Sequence, residues 1–98
     1  MIDKIKLQKL CDKITKEQLQ EITKTYNIKT HIDTKAHYII KRKYTYIDIG
    51  TSGRYMIENK TGNIFGIKAY SQVNYNHYYG NLDTIDDYYW GHFYATKK

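Results

Sequence analysis

Gly53 to Tyr70 reads GRYMIENKTGNIFGIKAY, and the way this stretch folds back on itself decides which side chains share a face. Asn59-Lys60-Thr61-Gly62 suits a type I turn followed by a left-handed residue, because Gly62 takes a positive φ without the Cβ clash that penalises other residues. A loop of Lys60, Thr61 and Gly62 sets Asn59 opposite Asn63. Counting outward, Ile57 faces Phe65, Tyr55 faces Ile67 and Arg54 faces Lys68. Alternation then places Tyr55, Ile57, Phe65 and Ile67 on the core side. The other side receives Arg54, Met56, Glu58, Ile64, Gly66, Lys68 and Tyr70.

The preceding segment, YIDIG with the residues before it, alternates Thr45, Ile47 and Ile49 against Tyr44, Tyr46 and Asp48. An odd-length loop keeps the apolar sets together across the next turn, since a one-residue slip flips every side chain. Gly50-Thr51-Ser52 is such a loop, and it sets Ile47 opposite Tyr55 and Asp48 opposite Arg54. A three-stranded meander over about residues 44–70 follows. Its outer surface carries Tyr44, Tyr46, Asp48, Arg54, Met56, Lys68 and Tyr70.

The chain has 98 residues, 41% of them hydrophobic and 15% aromatic, which supports a folded domain over disorder. Residues 1–98 read as one domain, helical over 1–26 and sheet-rich over 27–98. No apolar run reaches the roughly 20 residues that span a bilayer, so no membrane is expected. MIDKIKLQKL is charged throughout, unlike a signal peptide, and Cys11 is the single cysteine. These features suit an intracellular setting. Net charge is +6, and residues 27–54 hold six basic against two acidic side chains, a surplus of four centred on Lys41-Arg42-Lys43. Such a balance speaks to polyanionic partners and solubility rather than to fold. Twelve tyrosines and no proline are unusual, although AT-rich codons account for part of that bias.

Leu7, Leu10, Cys11 and Ile14 fall at i, i+3, i+4 and i+7, one stripe of an amphipathic helix. Thr15-Lys16-Glu17-Gln18 matches a capping box that restarts a helix, with Leu19, Ile22 and Tyr26 as its stripe. Two short helices meeting near Ile14 and Thr15 follow, packed on the sheet, with a helix-turn-helix as the alternative. NIKTHI and HYIIKR look like strands joined at Asp33-Thr34-Lys35, with a helix from Thr34 to Lys43 as the alternative. SQVNYNHYYGN lacks a clean period and reads as a long loop. Leu82, Ile85 and Tyr89 have helical spacing behind an Asn81 or Asp83 cap, and GHFYATKK closes as an edge strand or tail.

YIDIGTSGRYMIENKTGNIFGIKAY and HYYGNLDTIDDYYW, within residues 46–90, resemble a group of small uncharacterised proteins of phages and mobile elements. Relatives in that group carry Gly where this chain has Ser71, which puts the backbone there in question. The resemblance implies a phage or mobile-element product acting inside a bacterium, and it implies no catalytic residue.

Opposed like charges at Arg54 and Lys68 are unfavourable unless an anion sits between them or Asp48 neutralises them. A phosphate suits that place, and Tyr46 and Tyr70 beside it suit base stacking. Lys41, Arg42 and Lys43 suit a phosphate backbone, or alternatively a solvated turn. His31, His37, His77, His92 and the Asp83, Asp86, Asp87 cluster show no zinc or calcium ligand spacing. No nucleophile–base or paired-carboxylate set assembles, so no enzyme, metal or cofactor is expected.

The expectation is therefore an α+β domain: two N-terminal helices packed on a small, mainly antiparallel sheet, with a short C-terminal helix. Its expected function is a phage or mobile-element accessory protein in the host cytoplasm. It would bind nucleic acid, single-stranded, through Arg54, Lys68, Tyr46, Tyr70, Lys41, Arg42 and Lys43. The alternative is a protein-binding antagonist of a host nucleic-acid enzyme or defence complex, of the anti-CRISPR type. Tyr75, Tyr78, Tyr79 and Trp90 would then form its aromatic hot spot. A homo-oligomer burying the Tyr-rich loop is a third reading.

Overall fold

A carboxylate opens the helix. Asp3 accepts hydrogen bonds from the Ile5 and Lys6 amides at 2.9 and 3.3 Å, and α1 then runs unbroken from Lys4 to Tyr26. The computed structural model describes residues 2–26, 35–50, 52–69, 72–92 and 94–98, with the side chains of residues 25 and 26 left aside. The expected break at Thr15 does not occur, because the capping groups are used elsewhere. The Thr15 hydroxyl donates back to the Cys11 carbonyl within the helix and accepts the Ala36 amide, both at 2.8 Å. Gln18, the box's other partner, donates instead to the carbonyls of Trp90 and His92. The stripe of Leu7, Leu10, Cys11 and Ile14 thus continues through Glu17, Gln18 and Glu21, and Leu19 is exposed.

Five strands form one antiparallel sheet in chain order: β1 (Ala36–Ile40), β2 (Tyr44–Ile49), β3 (Ser52–Glu58), β4 (Asn63–Ala69) and β5 (Gln72–Asn81). A 3-10 turn at Ile85–Asp87 replaces the expected C-terminal helix, and β6 (Tyr88–Tyr89) pairs with β7 (Thr96–Lys97). The fold is α+β, with one N-terminal helix where two were expected. The meander is present and is extended by β1 before it and β5 after it. His37 to Ile40 of HYIIKR is strand and Lys41 and Arg42 lie in the turn after it, which removes the helical alternative for that segment. The strand expected at NIKTHI lies outside the described residues. SQVNYNHYYGN is mostly β5 rather than loop. Three residues, Tyr75 to His77, bulge out between the pairs Phe65–Tyr78 and Gly66–Asn74, which erases the two-residue period.

The decisive hairpin is one residue out of step with the expectation. Ile57 faces Ile64, Met56 faces Phe65 and Tyr55 faces Gly66. The loop is Asn59–Gly62, with the Thr61 and Gly62 amides both reaching the Glu58 carbonyl and Gly62 at φ +78°. Asn59 does not join the β3–β4 ladder because its amide donates to the Lys43 carbonyl at 3.1 Å. Phe65 therefore moves to the outer face beside Met56, and Ile64 takes its place in the core.

At the other turn Ile47 faces Tyr55 as expected, but Asp48 faces Gly53 and Ile49 faces Ser52. The extra residue sits in a bulge at Arg54 rather than in the loop. Asp48 and Arg54 are consequently not cross-strand partners. His37 is the residue opposite Asp48 on β1, with Nε2 3.9 Å from the carboxylate.

The inner face of the sheet (Ala36, Ile47, Ile49, Tyr55, Ile57, Ile64) packs with Leu7, Leu10, Cys11 and Ile14 of α1 and with Trp90, Tyr88, Leu82 and Ala95. Trp90 is 0% exposed, lies edge-on to Tyr55 at 5.4 Å and donates Nε1–H to the Ile85 carbonyl. Glu17 Oε1 accepts the Trp90 amide at 2.8 Å, which ties the C-terminal segment to the helix. Glutamine-18 to alanine (Gln18→Ala) would strand two carbonyls, one of them in a buried contact. It is expected to cost about 1–3 kcal/mol in urea unfolding.

Candidate nucleic-acid interface

Alternation sends Tyr44, Tyr46 and Asp48 of β2, Met56 of β3, Phe65 of β4 and Tyr78 of β5 to the face opposite α1. This face holds a small apolar cluster of its own. Met56 and Phe65 are 2% and 9% exposed, yet neither belongs to the main core. Phe65 meets Tyr75 edge-on at 5.1 Å and Tyr78 at 5.7 Å. The Tyr75 hydroxyl hydrogen-bonds that of Tyr44, joining β5 to β2 across the two strands between them. Tyr75 and Tyr78 are themselves 58% and 50% exposed, so large rings lie open to solvent on a firm apolar bed.

The cations sit at one end of this face. Lys41, Arg42 and Lys43 form the exposed tip between β1 and β2, closed by the Lys41 amide on the Tyr44 carbonyl at 3.0 Å. They make no ion pair among the described residues. The tip is bound to the next hairpin by Asn59. Its Nδ2 donates to the Lys41 carbonyl at 2.8 Å, and its Oδ1 accepts the Thr45 hydroxyl at 2.7 Å. Lys60, exposed, stands beside Asn59 in the β3–β4 turn.

The residues expected to act together do not form one cluster. Arg54 is half-buried at its bulge, four residues along β3 from Glu58, and so lies toward the opposite end of the sheet from the cationic tip. Extending the β3–β4 register outward sets Ile67, not Lys68, level with Arg54, which removes the opposed pair of like charges. Lys68 is exposed near the end of β4. Tyr46 lies half-buried on the outer face opposite Met56, and Tyr70 lies outside the described residues. Of the aromatic hot spot, Tyr75 and Tyr78 are surface residues, whereas Tyr79 and Trp90 are buried in the core. Rings packed among Tyr55, Tyr88 and the helix are not available to a partner. Tyr44, Phe65, Asn59 and Lys60 were not among the expected site residues. Only the corrected register brings Phe65 to this face, and only the pairing of two hairpins brings Lys60 to the tip.

Among the described residues no group of three or more His, Cys, Asp or Glu side chains is placed to hold a metal ion, and no helix is long and apolar enough to cross a membrane. His31 lies outside the described residues.

Several hydroxyls hold their protons tightly. The hydrogen bond to Tyr75, aided by desolvation, pushes the Tyr44 phenol up to about 12. The hydrogen bond to Glu21 does the same for Tyr89, also to about 12. Burial pushes the Cys11 thiol up to about 12 and raises Tyr55 and Tyr79. An unfolded thiol or phenol ionises near about 8.5 or 10. Tyr44, Tyr89 and Cys11 thus contribute stability that is complete below those values and is lost as pH climbs through about 12, and Tyr55 and Tyr79 act in the same direction. The urea midpoint is expected to hold near neutrality and to fall between about pH 9 and 12; a flat alkaline limb would contradict the buried, bonded placement of these groups.

No protein-family description, curated protein or solved structure matches this chain.

Proposed function

We propose that the protein binds single-stranded nucleic acid across the outer face of its sheet. Phosphates would lie at the Lys41-Arg42-Lys43 tip, and bases would lie on Tyr75 and Tyr78. The observation that carries this reading is the pair of half-exposed rings on the same sheet face, with a cationic hairpin tip at its end. Stacking on tyrosine accepts any base, and lysine or arginine contacts position the backbone without reading sequence. A low-specificity binder is the outcome. A role as a phage or mobile-element accessory protein inside a bacterium fits this chemistry and rests on the sequence resemblance. Arg54 and Lys68 are not part of this reading, because the register parts them.

Anisotropy of a labelled oligothymidylate tests it. Three phosphate contacts give a log–log salt slope of about −2, so affinity falls about twentyfold between about 50 and 200 mM salt. Tyr75→Ala and Tyr78→Ala are each expected to weaken binding by about 1–3 kcal/mol. The absence of salt-dependent binding by the unaltered protein sinks the proposal. The same two rings on their Met56–Phe65 bed also suit a protein partner, such as a host nucleic-acid enzyme or defence complex. In that case Tyr75→Ala would abolish a stoichiometric protein complex and leave no oligonucleotide binding to lose.

A further inference from the structure

The β1–β2 and β3–β4 hairpins end side by side, and Asn59 fastens one to the other through three hydrogen bonds. Its amide donates to the Lys43 carbonyl, its Nδ2 to the Lys41 carbonyl, and its Oδ1 accepts from Thr45. Two of these bonds therefore grip the backbone of the very residues that carry the tip's charge. Across that junction Lys60 joins Lys41, Arg42 and Lys43 on one rim of the sheet. Neighbouring strands are about 4.8 Å apart, so the two hairpin centres stand about 10 Å apart along the rim.

Of the acids nearby, Asp83 is ion-paired, while Glu58 and Asp3 are hydrogen-bonded and keep their charge. The four cations of the rim thus outnumber the carboxylate of Glu58 between them. Glu58 Oε1 accepts the Thr61 hydroxyl at 2.7 Å, Asp3 caps α1, and Asp83 pairs with Lys6. Lys60 makes no ion pair among the described residues.

We infer that the two hairpin tips act as a single phosphate-binding rail, with Lys60 as its fourth cation and Asn59 as the positioning residue that holds it together. The ligand class is a phosphodiester backbone lying across the strand ends, its bases turned inward onto Tyr75 and Tyr78. This rests on the single-strand reading above and adds to it the path and the contact count. Four contacts on one rim steepen the salt slope to about −2.8. Affinity rises with oligothymidylate length until the strand spans both tips, at about four nucleotides, and then levels.

The test uses the full chain with oligothymidylates of increasing length at two salt concentrations, with thermal melts run alongside. Lys60→Ala is expected to reduce the slope by about 0.7, as much as each single alanine at Lys41, Arg42 or Lys43. Asn59→Ala keeps every charge yet lets the tips move apart, so it is expected to weaken binding about fivefold and flatten the length dependence. Thr45→Val, which removes the hydrogen bond to Asn59 Oδ1 without touching the charged side chains of the rim, should act in the same direction. A purely structural Asn59 would lower the melting temperature and leave the slope and the length profile of the folded variant unchanged. If the Lys41, Arg42 and Lys43 variants lose binding while Lys60→Ala keeps the full slope, the rail is overturned and the single-strand reading stands. If the unaltered protein binds no oligonucleotide at all, both fall.

Discussion

Reversing the tip, with Lys41→Glu, Arg42→Glu and Lys43→Glu together, is expected to abolish single-strand binding while the fold stays intact. Neutralising three contacts removes a salt slope of about 2, and placing three carboxylates there adds repulsion of comparable size, so affinity should drop by at least about 100-fold at low salt. The three side chains are exposed and make no ion pair among the described residues, so stability should move by no more than about 0.5 kcal/mol. Urea unfolding and anisotropy on the same preparation separate the two effects. Undiminished binding by a folded triple variant would rule out the tip as the phosphate contact.

Trp90→Ala is expected to have the opposite profile, a collapse of stability with no specific role at the surface. The indole is fully buried, packs edge-on against Tyr55, lies tilted 6.0 Å from Tyr88, and donates to the Ile85 carbonyl. Truncating such a side chain costs about 3–5 kcal/mol. A domain of this size has only about 5–15 kcal/mol in total, so the melting temperature should fall by about 15–30 °C. Trp90→Phe keeps much of the ring volume and loses the hydrogen bond, and should cost less. A Trp90→Ala protein that melts within a few degrees of the original would mean that the indole is not the keystone between helix and sheet.

Trp90 also shows why aromatic content misleads about surfaces. Tyr75, Tyr78, Tyr79 and Trp90 look alike as a Tyr-rich run near the C-terminus, but Tyr75 lies in the β5 bulge, and alternation after it sends Tyr78 outward and Tyr79 inward. Trp90, beyond β6, is held in the core by Glu17 and the Ile85 carbonyl. Composition cannot separate them, because the inner and outer faces of this sheet both carry rings. The N-terminal helix is the reverse case. The stripe from Leu7 to Ile14 is legible as a helix face, and continuing its spacing leads to Glu17, Gln18 and Glu21. Those residues are polar because the segment bearing Trp90 brings a backbone amide to Glu17, two carbonyls to Gln18 and the Tyr89 hydroxyl to Glu21. Without that segment in view, the same letters read as a helix ending.

The chain's own letters determined that β2, β3 and β4 form a meander and that Ile47 stands across from Tyr55, and they offered a solvated turn at Lys41 to Lys43 as one of two readings. Each of these follows from short-range chemistry: side-chain alternation, a glycine at positive φ, and the cost of burying charge. Register beyond each turn was decided only in three dimensions. Asn59 bonds to a neighbouring hairpin rather than across its own, and the spare residue near Asp48 settles as a bulge at Arg54 instead of in the loop. Such choices differ by one hydrogen bond between segments, and local pattern is blind to them. They nevertheless decide which face Phe65 joins, and with it where a partner would find its rings.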